Sequence, residues 1–542
     1  MANYDPIQKY PIISSMYPYF SASGIPTLGP TLRNGSYTQY GTGDSEIYVT
    51  QRFPLNITKL PTNTSGYRGR GCYAWNPQGT TSSYVYLVNG NKVYLADYSS
   101  PLGVTISDSN TPVTFVEVGE FLILIDTAGN KVYYIEQSAT TTLVEITDAA
   151  FPFHPSNGFV LAGGGVSLNA ILYLMDTEGN IWNNLNPYFG GLTPNTASEW
   201  AGDFIQASRS SDGGAYLALH HNNIVAFGHR TVEVFYDAGN PVGSPLNRRE
   251  DVMYGVGVSG KYDAYTSGDT IFFLGVDTKG VQTAFLFENF QYKQVADDAF
   301  TKYINNSINY QNMVAILGGV RAGEHNLFTL TFCNGTFGAT KLDPEYTAVY
   351  DATKNQWSSY DSQVLSDGVT TSFPVIATAT ASQYSNIGLM MFSTGDLGTV
   401  NATDSLQDTA GDTQGYWSEP YIDPDNSNYV EVISSDRVAN IQWEMVTSAT
   451  NLDRNTNKFC SQFSVLGGTA PTLLDDQTAL KISWTDDGYK TFSTPRDLDF
   501  ANYRTLTRLG KFRERAYKMT YNGTGKLEII GYTMRLGASS YA

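Results

Sequence analysis

VYLVNGNKVYLAD (residues 85–97), LILIDTAGNKVYYIE (122–136) and LYLMDTEGNIWNNLN (172–186) share one plan. Each has an apolar run, then Asp or Asn with Gly-Asn, then a second run containing Tyr or Trp. Gly and Asn supply the positive φ of a tight turn, so each copy reads as a β-hairpin. The turn glycines Gly90, Gly129 and Gly179 stand about 40 to 50 residues apart, which is the period of propeller blades. Looser copies follow at 224–239, 271–290 (with Gly280 in its turn), 327–338 running into 346–361, and 386–400. The alternative is an irregular pair of β-sandwiches, because Gly-Asn hairpins occur in every all-β fold. The regular spacing favours an all-β protein built on a β-propeller of six or seven blades.

Composition agrees with that class. Among 542 residues there are 38 Tyr, 27 Phe and 51 Gly, while charged residues make up only 15%. Such a balance favours strands and tight turns. Helical periodicity is scarce, with one short helix expected at 297–304. The organisation expected is an N-terminal arm (1–62), the propeller (63–392), an acidic loop or insertion (393–429) and a C-terminal β-sandwich-like domain (430–542). Residues 393–430 hold seven acids and no Lys or Arg.

The net charge of −18 disfavours a nucleic-acid clamp. It suits ordinary solubility, or a conduit whose wall lets a polyanion pass. From residue 481 to the end, 11 Lys/Arg face 6 Asp/Glu, so the 480 residues before carry −23. Much of the excess lies in RTLTRLGKFRERAYK (504–518), with Arg504, Arg508, Lys511, Arg513, Arg515 and Lys518. These six are the candidate partner-binding residues, facing an acidic partner or the acidic body of a neighbouring copy. The competing reading is two strands with solvated faces. Charge reversal of Arg508, Arg513 and Arg515 together is expected to impair assembly while leaving the monomer folded.

No catalytic, cofactor or metal cluster emerges from the sequence, and no cofactor is expected. His220, His221 and His229 lack a carboxylate or cysteine at ligand spacing and read as hairpin-edge residues. Gly163, Gly164 and Gly165 lack the Lys-Ser/Thr of a phosphate cradle and read as a flexible turn. DPDNSN (423–428) lacks the glycine and terminal Glu of a calcium loop. Cys72, Cys333 and Cys460 imply neither a disulfide framework nor a zinc site. The start has no signal-peptide pattern, and no apolar run is long enough to span a membrane. SWTDDGYKTF (483–492) resembles the Asp-box turn of sialidase propellers, which is a structural hairpin element.

Three stretches resemble the tail and packaged-DNA stabilisation proteins of short-tailed bacteriophages. In the C-terminal run they are Trp484, Asp487-Gly488, Thr491-Phe492, Arg508-Leu509-Gly510, Arg513 and Ile530-Gly531. In the middle they are Phe204, Ala207, Asp212, Phe227-Gly228, Thr231, Glu233 and Tyr236, followed by Tyr350-Asp351 and Trp357. Departures occur where a second Asp and a Tyr replace glycines near Gly488, and where Phe492 stands for a common Trp. The resemblance implies a structural, non-enzymatic virion protein, made in the host bacterial cytoplasm. It implies a tail tube or nozzle ring of six copies that closes the portal vertex, retains packaged DNA and forms the ejection channel. Its expected partners are other copies, the portal-adaptor protein, tail fibres or tail tip proteins, and double-stranded DNA passing without tight binding. The alternative is a carbohydrate-binding or carbohydrate-cleaving propeller acting as a tail receptor-binding protein or depolymerase.

Overall fold

The computed structural model describes residues 8–11, 31–33, 35–39, 47–51, 55–58, 69–77, 79–80, 82, 84–95, 100–184, 193–195, 200, 202–207, 209–240, 242–277, 279–322, 325–338, 342–363, 370–372, 375–381, 387–392, 397–401, 443–447, 449, 457–469, 480–498, 505–521 and 527–538. The chain packs as two units. One comprises Ile57–Glu345 and Pro374–Thr403, the other Met1–Asn56, Tyr346–Phe373 and Asp404–Ala542.

The first unit is a β-propeller, and its inner strands explain the apolar runs of the repeat. In Phe121–Asp126 all six residues are buried. Phe121, Ile123 and Ile125 face one way and join Leu172, Leu174 and Trp182 of the next sheet. Leu122 and Leu124 face the other way and meet Trp75, Tyr86 and Val88 of the sheet before. A strand covered on both faces has no solvent side, so its sequence loses the usual polar alternation. Each such Leu, Ile or Phe contributes about 1.5–3 kcal/mol by leaving water.

The same seam recurs around the ring. Tyr173, Met175 and Ile181 pack on Leu217, Ile224 and Phe235. Val225, Phe227 and Val234 pack on Ile271, Phe273 and Phe287. Phe272 stacks on Phe328 with centroids 5.2 Å apart, and Ile316 and Cys333 meet Ile376. Ala379, Leu389 and Met391 then pack on Cys72, Ala74 and Leu87, which closes the ring on its first sheet. The closing sheet is Val375–Ala381, Ile387–Phe392 and Leu397–Asn401, completed by Leu55–Thr58 from early in the chain.

The turns of the repeat are organised by aspartates. Asp176 accepts hydrogen bonds from the Glu178 and Asn180 amides at 2.9 Å each. Its second oxygen takes the Asn180 side chain at 2.8 Å and the Trp182 indole at 2.9 Å. Asp277 repeats the pattern with the amides of Lys279 and Val281. Gly179 and Gly280 adopt φ of +90° and +79°, but in the 126–130 turn the left-handed residue is Asn130 at +52° rather than Gly129. The Gly163-Gly164-Gly165 run, expected as a flexible turn, is instead a close-packed strand. Gly163 and Gly164 pair in parallel with Tyr216 and Leu217. A Cβ on Gly163 would lie 1.8 Å from the Lys261 carbonyl oxygen, which no side chain can tolerate. The short helix Asp298–Asn305 is present, with Asp297 capping the Phe300 amide at 2.7 Å.

The second unit is a β-sandwich. One sheet runs Gly35–Gln39, Ile47–Gln51, Leu527–Ala538, Lys458–Thr469 and Thr505–Phe512, with Gln8–Pro11 also paired to Leu527–Ala538. The other orders Gln356–Gln363, Thr31–Arg33, Trp443–Val446, Ala516–Tyr521, Leu480–Thr485 and Arg496–Leu498. Leu32, Trp443, Ile482 and Met519 from one sheet share a core with Val49, Phe463, Leu506 and Ile529 from the other. Phe463 stacks on Tyr517 at 4.2 Å across it. The N-terminal strands read as an arm therefore pair with C-terminal ones, and residues 346–361, read as a repeat copy, belong to this unit. Of the acidic stretch 393–429, only 397–401 lie among the described residues.

Candidate interaction site

The basic stretch lies on Thr505–Phe512, an edge strand among the described residues, and on the strand Ala516–Tyr521 that follows it. A bulge shapes the first. Thr507 pairs with Gln462 and Gly510 with Cys460, so Arg508 and Leu509 together oppose Ser461. Leu509 turns into the core, while Arg508 takes φ of +60° and its side chain is exposed beside that of Thr507. Lys511 and Arg513 are also exposed. Among the described residues Arg508 and Lys511 make no ion pair, and the Arg513 Nε donates to Asn457 Oδ1 at 3.3 Å.

Two members of the stretch are used internally. Arg515 is only 1% exposed, which corrects its reading as a partner-binding residue. Its Nε and Nη2 donate to the Asp486 carboxylate at 2.6 and 2.7 Å, and its Nη1 donates to the Leu509 carbonyl at 2.8 Å. The guanidinium also lies 4.4 Å from the Phe512 ring and 5.4 Å from that of Trp484. Reversing Arg515 would bury an acid beside Asp486, so the triple reversal would damage the fold before testing assembly. Lys518 is half-buried and pairs with Glu444 at 2.7 Å, on a carboxylate that Arg33 also approaches at 3.8 Å. Arg504 lies outside the described residues.

Two further residues complete the site. Arg496 Nη1 donates to the Thr507 carbonyl at 2.8 Å, so Arg496 and Arg515 both cover carbonyls of the edge strand. Covered edges resist pairing with foreign strands. Phe459, opposite Lys511 in register, is 38% exposed. Lys458 is instead buried, donating to the Arg513 carbonyl at 3.0 Å. The signal for this in the sequence was the period of two through Lys458 and Cys460, obscured by the bulge before Phe463.

The SWTDDGYKTF stretch connects the antiparallel strands Leu480–Thr485 and Arg496–Leu498. Asp487 accepts from the Thr491 hydroxyl at 2.6 Å, the Thr491 and Lys490 amides at 3.0 Å and the Thr485 hydroxyl at 2.7 Å. These donors, led by Thr491, hold its carboxyl well below the ordinary range. Tyr489 adopts φ of +68°, a strain of about 1–3 kcal/mol for such a residue. Its hydroxyl accepts the Ala449 amide at 2.6 Å and donates to the Thr447 carbonyl at 3.3 Å, which fixes the conformation.

Elsewhere, two of the histidines make contacts inside the propeller. His220 is buried, its Nε2 accepting the Phe290 amide at 3.2 Å, and His221 lies 3.4 Å from Asp269. Among the described residues no group of three His, Cys, Asp or Glu could hold a metal. All three cysteines are free and buried, and burial pushes the Cys72 thiol up to about 12. An open cleft lined by Asn223, Tyr236, Arg248, Arg249, Glu250 and Asp251 has its acids tied to arginines: Arg209 pairs with Glu250, and Arg249 with Asp251 at 2.8 Å. No helix among the described residues is long and apolar enough to cross a membrane.

The fold and site define a propeller unit and a sandwich unit, the latter with a basic edge strand. Residues 192–378 match the family described as bacteriophage P22 Gp10, β-propeller. No curated protein matches the chain. Among solved structures, the N-terminal domain of Nup159 is similar at 9% identity and a TM-score of 0.35, covering 67% of this chain and 98% of that one. BamB from Moraxella catarrhalis is similar at 12% identity and a TM-score of 0.33, over 68% and 98%. YCF48 bound to D1 peptide is similar at 10% identity and a TM-score of 0.37, over 66% and 97%.

Proposed function

We propose that this chain is a structural, non-enzymatic virion protein of a short-tailed phage, a subunit of the tail tube or nozzle ring. In this role a ring of six copies closes the portal vertex below the portal-adaptor protein, retains packaged DNA and forms the ejection channel. The observation that carries the reading is the stabilisation-family match, which covers part of the propeller and Tyr346–Phe373 of the sandwich unit. Two properties support it. A chain of net charge −18 repels DNA, so the duplex can pass without sticking. The exposed Arg508, Lys511 and Arg513 offer a contact for neighbouring subunits, while tail fibres or tip proteins attach further along the tail. Cryo-EM of intact virions tests this: density for the chain is expected in the axial tail. Its absence from the axial tail of otherwise complete particles would overturn the reading.

A further inference from the structure

We infer that the sandwich face bearing Arg508, Lys511 and Phe459 docks the acidic stretch 404–425 of a second copy of this chain. The inference rests on the ring reading above and names the contact that holds the ring.

Lys131, Arg209, Arg248, Arg249, Arg515 and Lys518 each face a carboxylate within 4 Å. Arg508 and Lys511 have no such neighbour among the described residues, though they stand on one strand of an acidic chain. The bulge turns Arg508 outward, at the cost of a left-handed conformation in a residue other than glycine. Phe459, directly opposite Lys511, adds an exposed apolar ring beside these charges.

The face itself selects the mode of contact. Thr505–Phe512 is an edge strand, and edges ordinarily recruit partners by strand addition. Here Arg496 and Arg515 already occupy the Thr507 and Leu509 carbonyls. Recognition is therefore left to the side chains: two cations and an exposed aromatic ring on the same pair of strands. The complement is an acidic segment with interspersed aromatics. Residues 404–425 carry Asp404, Asp408, Asp412, Glu419, Asp423 and Asp425 with no Lys or Arg, and include Tyr416, Trp417 and Tyr421. A basic face and an acidic segment on every copy form a heterologous pair, the kind of contact that closes into a ring when copies follow head to tail.

Full-length chains carrying R508E/K511E or D423K/D425K test this by sedimentation at about 0.15 M salt, where exposed charges still interact over a Debye length of about 8 Å. Wild type is expected to associate, and each variant alone to associate roughly tenfold more weakly or worse, because like charges then meet. An equimolar mixture of the two variants should regain association, since each supplies what the other has lost. R508Q/K511Q, whose thermal unfolding serves as the control for folding, should weaken association in the same direction. Wild type that stays monomeric, or R508E/K511E that associates like wild type, overturns the inference. So does rescue only when both swaps sit in one chain, which would make the contact internal. The tail reading fails separately, if the chain is missing from the axial tail. A chain present there whose R508E/K511E form assembles normally sinks only the docking inference.

Discussion

The propeller and the sandwich each bury an arginine, and the two are buried differently. Arg70 and Asp126, in the propeller, have fully buried side chains 2.8 Å apart. Arg70 also donates to the carbonyls of Thr111, Gly90 and Ser107 at 2.7, 2.9 and 2.7 Å, so nearly all its donors are spent inside protein. Asp126 takes the Ser107 amide at 3.0 Å in return. Arg515, in the sandwich, is as buried as Arg70, but its partner Asp486 is 37% exposed. The propeller thus relies on a sealed polar joint between successive sheets. The sandwich relies on a joint open to water on one side.

The largest effect is expected at Arg70. Arg70→Ala should cost about 3–5 kcal/mol in urea unfolding of the propeller, because it strands a buried carboxylate. Replacing the pair with Met and Leu should recover little of this, since three carbonyls and the Ser107 amide would still lose partners. Recovery to wild-type stability would mean that the ion pair alone matters and the joint does not. Next is Asp176→Ala, which leaves the buried Trp182 and Asn180 donors unpaired. A loss of about 2–3 kcal/mol follows, read by the same unfolding curve. Arg515→Ala should cost less than Arg70→Ala, about 2 kcal/mol, because the released Asp486 can turn to solvent. An equal or larger loss at Arg515 would break the comparison.

The same contrast explains how much the sequence disclosed. The blades were legible because both strands of a hairpin lie within fifteen residues of each other, as in 122–136, and because two-faced burial writes unbroken apolar runs. The turn aspartates repeat in the sequence for the same local reason. The sandwich was less legible because its partners are remote: Gln8 lies opposite Met534, and Thr31 opposite Val446. No local pattern announces such pairings, so the N-terminal strands read as an arm. At the site, Arg513 and Arg515 have the same parity and looked equivalent. Arg513 sits in a bend just after the edge strand, whereas Arg515 already follows the inward course of the next strand. That difference is set by the turn, which two charged residues in a basic run do not reveal.

The smallest effect concerns pH, where the two units should differ in sign. In the propeller, burial pushes the Asp263 carboxyl from 3.8 up to about 6, against the pull of the Ser259 hydroxyl, the Gly260 amide and His229. Between about pH 4 and pH 6 the folded chain then holds a proton that the unfolded chain has lost, so stability falls as pH rises through this window and is flat above it. Asp487 of the sandwich has a depressed carboxyl, held down first by Thr491. Its contribution is complete above the ordinary aspartate range and is lost only as pH falls below it. Thermal unfolding of wild type and Asp263→Asn across pH separates these terms. The two curves should converge near pH 4 and diverge up to about pH 6, with the Asn variant the more stable above it. A difference that shrinks with rising pH would mean that the Asp263 carboxylate is stabilised in the folded chain, as Asp487 is, and that the two units respond to acid alike.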